Sequence, residues 1–384
     1  MDGILDQLKQ TISTADGPTR NVLKLKLREL ADSLETPDNT LDRIAFGGLT
    51  TAIVRISIEL KLFHLLAQSD GPLSIENIAQ LSGASPILLG RILRYLSSVG
   101  ILNQTGVNCF QNSHVSRNLC IPAVEAGINW FFEGLGPQYI KLPEFLHKTN
   151  YENPIDVMHT VVQDAFHLKD GDDAFDWLRI NPRILGFFQT FMSIRRQGAQ
   201  ETWLSVYPVE EETKTWNPNN AVYVNIGGNI GMQNAEFKTR YPDVPGRVIL
   251  QDRPENIAKA MRTPGVENIA YDFFTPQPIQ GAKFYYFRTV LHNWPDDKVV
   301  EILKNTKAAM SDESLILVDE IVVPDVGADS WITAIDMTML CGHASTERTQ
   351  TQWDEVFGQA GLRRLNTMVY QAHTNESVMK LRRI

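Results

Sequence analysis

A glycine-rich turn is the first feature suited to chemistry. Asn225-Ile226-Gly227-Gly228-Asn229-Ile230-Gly231 follows the strand-like run VYVNI and precedes the helical stretch MQNAEFKTRY. Bare backbone in such a turn lets a ligand come close, and the helix N-terminus beyond it offers N–H donors. The next strand-like run ends in Gln251-Asp252, 21 residues past Gly231. An acid at that strand end can accept hydrogen bonds from both hydroxyls of a ribose. Strand, turn, helix, strand and acid together point to a nucleoside-bearing cofactor, or to the remains of such a site. The second candidate is His292, just past the strand-like FYYFRTV. A neutral imidazole there can take up or give a proton near neutral pH. An isolated histidine reads equally well as structural, but placement at a strand end of an α/β domain favours an active-site role.

These residues need a scaffold. From about 220 the strand-like runs VYVNI, RVILQD, FYYFRTV and LILVDEIVV alternate with the helical stretches MQNAEFKTRY, ENIAKAMR and DKVVEILKNTKAAM. That alternation predicts an α/β fold with a doubly wound, mainly parallel sheet over 216–384, closed by a helix and a hairpin. Residues 121–215 read as a mostly helical segment, rich in aromatics from Trp130 to Phe191. Such a segment can roof an apolar pocket or simply pack a core.

Residues 1–120 read as an N-terminal domain. Leu23, Leu27, Leu30 and Leu34 make one apolar stripe for the body or a second subunit. IVRISIELKLFHLLAQ is a helix by its period. Ser74 and Ser85 mark helix starts, Gly83 and Gly100 mark stops, and ILNQTGVNCFQNS is a small hairpin. This is the outline of a winged helix-turn-helix. Between 51 and 120 the basic residues outnumber the acidic by only two, too few for a face that tracks phosphates.

Composition narrows the classes further. Of 384 residues, 43% are hydrophobic and 21% charged, as in a globular protein with a full core. The formal net charge of −9 is the wrong sign for a dedicated nucleic-acid binder. No apolar run approaches the roughly 18 residues that cross a bilayer, and the N-terminus lacks the pattern of a secretory leader. Cys109, Cys120 and Cys341 are scattered without a CxxC, which fits a reducing, cytoplasmic compartment and argues against a zinc site.

The motifs NIGGNIG, PGRVILQDRP, DFFTPQP, YYFRTVLHNWPDD, LVDEIVVP and STERT, in this order, resemble those of the plant and fungal small-molecule O-methyltransferases that use S-adenosylmethionine (SAM). The resemblance covers essentially the whole chain and implies a Rossmann-like SAM domain behind a dimerisation and winged-helix domain, working as a homodimer. It implies that Asn225, Gly227, Gly228 and Gly231 line SAM, with Asp252 on the ribose. Asp272 and Phe273 would flank the adenine, Trp294 would pack nearby, and Arg288 would lie near the methionine end. His292 matches the catalytic base, and Glu320 and Glu347 match two acids that bracket it. Asn293, Trp130, Asp336, Met339 and His343 fall at pocket positions by the same alignment; for Asp336 and His343 a solvated or packing role is equally open. No metal is implied.

The chain also departs from that pattern. Asn225 stands where the family has an acid, and Asn229 where it has a glycine. Asn293 replaces an aspartate, and Arg253 a leucine. The first change removes a negative charge beside a cationic ligand. SLETPDNT, VEAGINWFFE, PGRVILQD and TPQPIQGAKFYYFR are similar to fungal O-methyltransferase-like pericyclases of pyridone-alkaloid pathways, of the leporin-pathway type. That group's catalytic His and Arg positions hold Trp130 and His292 here. The resemblance therefore implies a small-molecule polyketide or alkaloid substrate and two enzymatic readings. One is a repurposed pericyclase; the other is a SAM-dependent O-methyltransferase with His292 as base. A non-catalytic winged-helix regulator is a third, disfavoured by the acidic balance.

Overall fold

A computed structural model describes residues 2–169, 171–197 and 201–384. The chain divides into two compact units, Met1–Gly134 with Gly186–Ile194, and Leu135–Leu185 with Arg195–Ile384.

The first unit begins with helices Asp2–Thr14, Gly17–Asp32 and Pro37–Ala45. The leucine stripe is shorter than its spacing predicts. Leu23 and Leu27 are half-buried, Leu30 is exposed, and Leu34 lies past the helix end, where Ser33 caps it. The helix expected from IVRISIELKLFHLLAQ is two helices, Gly47–Glu59 and Leu62–Ala67, because Lys61 turns left-handed (φ 55°) between them. A period of 3.6 continues through that break, so pattern alone misses it. Strands β1 (Leu73–Ser74), β2 (Leu102–Gly106) and β3 (Cys109–Asn112) form an antiparallel sheet in the order β1-β3-β2. Helices Ile75–Ser82 and Pro86–Ser98 complete the winged-helix outline. Ser74 caps the first by accepting from the Asn77 N–H at 3.2 Å, and Gly83 ends it at φ 73°.

The second unit holds a seven-stranded sheet. Its strands are β4 (Ala221–Ile226), β5 (Arg247–Asp252), β6 (Val266–Ala270), β7 (Phe284–Arg288), β8 (Leu315–Ile321), β9 (Leu362–Gln371) and β10 (Glu376–Arg383). The order is β6-β5-β4-β7-β8-β10-β9. The first five run parallel, and β10 is antiparallel to both its neighbours. Strand β6 escaped the sequence reading because VENIA is short and none of its residues is buried, as befits an edge. The helix expected from ENIAKAMR is only Pro254–Ile257.

Every residue of β4 and β8 is buried, as expected of central strands covered on both faces. Tyr223, Tyr286 and Tyr370 pack on one face with Trp203 and Phe237. Tyr285, Phe287, Ile316 and Val318 pack on the other with Trp353 and Phe357. The chain leaves β4 toward β5 and β6, then returns to lay β7 on β4's other side. The crevice beyond the C-terminal ends of β4 and β7 is thus the switch point of the sheet, where α/β folds place ligands. Both the glycine turn and His292 leave the sheet at this point.

Candidate active site

The glycine turn is held by backbone and amides. Gly227 adopts φ 72° and donates to the carbonyl of Gln251 at 2.8 Å. A Cβ on Gly227 would meet Val290 at 2.7 Å, so the residue must be bare for β4 and β7 to exit side by side. Asn229 sits at φ 54°, a conformation asparagine tolerates. Its N–H donates to Asp252 at 2.6 Å. The same carboxylate accepts from the Arg253 N–H at 2.8 Å and from the Asn256 amide at 2.7 Å, so Asp252 latches the turn to the end of β5. Asn225 is buried. Its amide donates to Asn234 at 2.7 Å, and Asn234 donates to the carbonyl of Ile249 at 3.0 Å. Helix Met232–Arg240 starts at Gly231 with no side-chain cap, which leaves donors facing the turn. Asp272 accepts from the Phe274 N–H at 3.0 Å, and Phe273, Phe274 and Trp294 meet edge to face.

Arg288, at the end of β7, is directed into a buried charge cluster. It pairs with Asp319 at 3.1 Å and Glu376 at 3.5 Å, and Asp319 also accepts from the hydroxyls of Tyr286 and Tyr370. Thr289 then turns left-handed (φ 48°) and delivers the short 3₁₀ turn Leu291–Asn293.

Three charged side chains fix that turn. Glu320 of β8 accepts from the N–H groups of Val290, Leu291 and His292 at 3.0, 2.9 and 3.4 Å. It grips the turn's backbone and leaves the ring to Glu347, which meets His292 Nδ1 at 2.6 Å. From the other side the buried Arg348 donates to the carbonyl of Trp294 and to Asp296, at 2.8 and 2.6 Å, and lies over Trp353. Ser345 donates within 2.6 and 2.8 Å of the carbonyls of His292 and Trp294. The segment is itself braced: Asp336 accepts from the Thr346 hydroxyl at 2.7 Å and the Glu347 N–H at 2.8 Å. Asn293 donates to the carbonyl of Thr289 at 3.2 Å.

The electrostatics follow. Burial opposes a charged His292, but the carboxylates of Glu347 and Glu320 outweigh it and raise its pKa to about 9. Burial pushes Glu320 up to about 7. His343 ends the helix Ser330–His343 and packs at a tilt against Phe175, with ring centres 4.9 Å apart. Burial, aided by repulsion from His292, lowers it to about 3. Two histidines near one another are therefore held in opposite charge states at neutral pH. Phe175 also lies 5.9 Å from the Arg253 guanidinium.

The structure thus brings His292, Asn293, Glu320 and Glu347 to one turn and its supports. It brings Asn225, Gly227, Gly228, Gly231 and Asp252 to one loop. Asp336 is occupied in bracing the 346–347 backbone, and Met339 is half-buried on the helix that ends at His343. Trp130 belongs to the first unit, where it packs on Phe188 at 5.2 Å. Ser345 and Arg348 escaped the sequence reading, although both lie within STERT. Among the described residues no cluster of His, Cys, Asp and Glu could hold a metal, and no helix is long and apolar enough to cross a membrane.

Comparison with known proteins agrees with this architecture. Family models for an O-methyltransferase domain and an O-methyltransferase dimerisation domain match residues 197–363 and 42–121. The O-methyltransferase lepI of Aspergillus flavus is 37% identical, covering 92% of each chain. The demethylsterigmatocystin 6-O-methyltransferase of Aspergillus parasiticus is 33% identical, covering 97% of this chain and 95% of its own. The solved structure of LepI in complex with SAM matches with a TM-score of 0.89 at 35% identity, covering 100% of this chain and 98% of that one. Another structure, described as a pericyclic reaction enzyme, matches equally well over 99% of its length. The chain belongs to the O-methyltransferase family, as a fungal-type enzyme fold with an N-terminal dimerisation domain in front of its Rossmann-like domain.

Proposed function

We propose that this enzyme has left methyl transfer for pericyclic chemistry. It dehydrates a pyridone alcohol to a quinone methide and steers the closure of that intermediate by a hetero-Diels–Alder or Alder-ene path. The observation that carries this reading is the neutral Asn225–Asn234 pair in the cofactor loop, and the His292 assembly is compatible with it. With Nδ1 tied to Glu347 and Glu320 behind the turn, the ring is an imidazolium whose Nε2 proton is free to give. A methyltransferase of this family would use the same base between the same two acids, with the ring neutral to accept a phenolic proton, so the cofactor loop has to separate the two readings. An imidazolium can protonate a leaving hydroxyl, or donate to a carbonyl that gains electron density as the ring closes.

The cofactor loop supports the same reading. Its shape fits a nucleoside: the uncapped helix start, the acid at the end of β5 and the left-handed backbone are all in place. Gly227, Gly228, Gly231, Asp252, Asp272 and Phe273 would hold SAM, which when bound supplies a methyl group and a fixed sulfonium charge. The neutral Asn225–Asn234 pair offers no anion to such a cation. Aromatic side chains beside the crevice, such as Phe175 against His343, would exclude water and help select one conformer of the substrate, which is most of what a pericyclic closure asks of a protein. The leucine-bearing N-terminal helices and the matched dimerisation domain support a homodimer.

Conversion of the pyridone alcohol without methyl transfer from labelled SAM is the expected result. Methylation of a phenol or hydroxypyridone at enzymatic rates would overturn it. That second reading, a SAM-dependent O-methyltransferase with His292 as base, has the retained cofactor turn and the methyltransferase relatives in its favour.

A further inference from the structure

The dehydration has two proton transfers, and His292 accounts for one. Its ring is imidazolium, so it can give a proton to the departing hydroxyl but cannot also remove one from the substrate. The reaction needs an acceptor on the same side of the crevice. Among the described residues, neither ring nitrogen of His343 has a hydrogen-bond partner, and the ring is half-buried and tilted against Phe175. His343 therefore has open capacity in just the region where the Nε2 of His292 is also open. The two rings are brought together by the chain. Helix Ser330–His343 ends at Ala344 in a left-handed conformation (φ 49°), and the next residues fold back over the His292 turn through Ser345 and Glu347.

We propose that His343 is a second catalytic residue, a neutral proton acceptor for the substrate's ring hydroxyl, paired with His292 as the proton donor. The inference rests on the dehydration reading above and supplies its missing half. In the step, an open nitrogen of His343 takes the proton of the ring hydroxyl, and the O–H electron pair becomes the new C=O. A ring π pair moves out to form the exocyclic C=C, and the carbinol C–O bond breaks toward oxygen. Nε2 of His292 protonates that oxygen, and water leaves. The quinone methide and one water are formed without oxidant or reductant. His343 ends protonated and His292 neutral, and one proton passed through solvent restores both. Burial and repulsion from the charged His292 ring keep His343 uncharged in the resting site, and that repulsion is relieved as His292 gives up its proton in the same step. Charged or titratable groups around the ring are His292 with Glu347 and Glu320 behind it, Asp336 on its own helix, Tyr139 on the packed helix Gly136–Lys148, and Arg253 beyond Phe175.

The test compares wild type with His343→Gln and His343→Phe. The probe is a 4-hydroxy-2-pyridone bearing an alkenyl carbinol at the adjacent carbon, followed by loss of the alcohol. Both variants should lose at least about 100-fold in dehydration rate, the lower end for a general base. Both should keep the wild-type product ratio when the quinone methide is generated chemically in the presence of enzyme. His343→Phe keeps an aromatic ring against Phe175, so its loss of rate separates proton transfer from packing. NMR titration of the full-length enzyme gives a readout that packing alone would not move: in His292→Gln the His343 ring should titrate at higher pH than in wild type. An active wild type with an equally active His343→Gln overturns the pair alone, as does a His343 titration indifferent to His292→Gln. A wild type that methylates the ring hydroxyl and leaves the carbinol intact overturns the dehydration reading and the pair with it.

Discussion

Two loops leave the sheet at its switch point, and they are held by opposite means. The loop after β4 is pinned by neutral amides, Asn225 to Asn234 to Ile249, with Asp252 alone supplying charge. The turn after β7 is pinned by ions: Glu320 on its backbone, Glu347 on its ring, Arg348 across to Asp296. The loop after β4 thus carries little charge and the turn that bears His292 carries much. Neutral amide pairs fix shape but do not bias the charge of a ligand. Buried ions do both, because a low dielectric strengthens every pairing and makes an unpaired charge costly. The contrast is that of a loop fixed in shape alone beside a turn fixed in both shape and charge.

The sharpest way to break the comparison is His292→Ala. Turnover should fall by 10² to 10⁴ fold, typical for a general acid or base, with the circular dichroism spectrum unchanged. Retained turnover would remove the charged turn from the chemistry. Glu347→Gln probes the charge without the shape. Its amide can still meet Nδ1, but the main support for the imidazolium is gone. The alkaline limb of the rate profile, expected near pH 9 in wild type, should move down toward the ordinary histidine value of 6.5. The sign for stability is the same. A raised histidine pKa stabilises the fold fully below pH 6.5, and that stabilisation is lost as pH rises through about 9. Melting temperatures of wild type should therefore fall over this window, and those of Glu347→Gln should fall less.

Much of this was legible from the residues. The parallel sheet, the glycine turn, the acid ending β5 and the strand-end histidine all rest on local pattern or on spacing along one element. What was hidden depends on contacts distant in sequence. Nothing in STERT announces that Ser345 and Arg348 clasp the turn 51 to 57 residues upstream. Nor does the aromatic run say that Phe175 is the residue beneath His343. The break at Lys61 was hidden for another reason, since a helical period continues unchanged through a left-handed residue.

Smaller effects sharpen the contrast. Asp296→Ala leaves the Arg348 guanidinium buried without its ion partner and should cost about 2 kcal/mol in urea unfolding. Asn225→Asp should cost about 1 kcal/mol at neutral pH, because a carboxylate has no proton for the Asn234 oxygen. The same variant should bind SAM more tightly by calorimetry, by returning a negative charge to the loop. Unchanged affinity would mean that the lost anion was not what weakened the site. Asn229→Gly, at φ 54°, should change stability by less than about 1 kcal/mol in either direction, since the strain it relieves is offset by a freer unfolded chain.

The short stretch from Ala344 to Thr349 carries a consequence of its own. Within six consecutive positions it holds the contacts to the His292 carbonyl, the His292 ring and the Trp294 carbonyl, so it works as a jig cut to one length. Lengthening it by a single residue would leave every catalytic side chain present and every strand intact, yet slide the three grips out of step with what they hold. Relatives that differ here by an insertion are expected to run different reactions even where their catalytic residues are the same, and the residue count of this loop is a dial that a designer could turn.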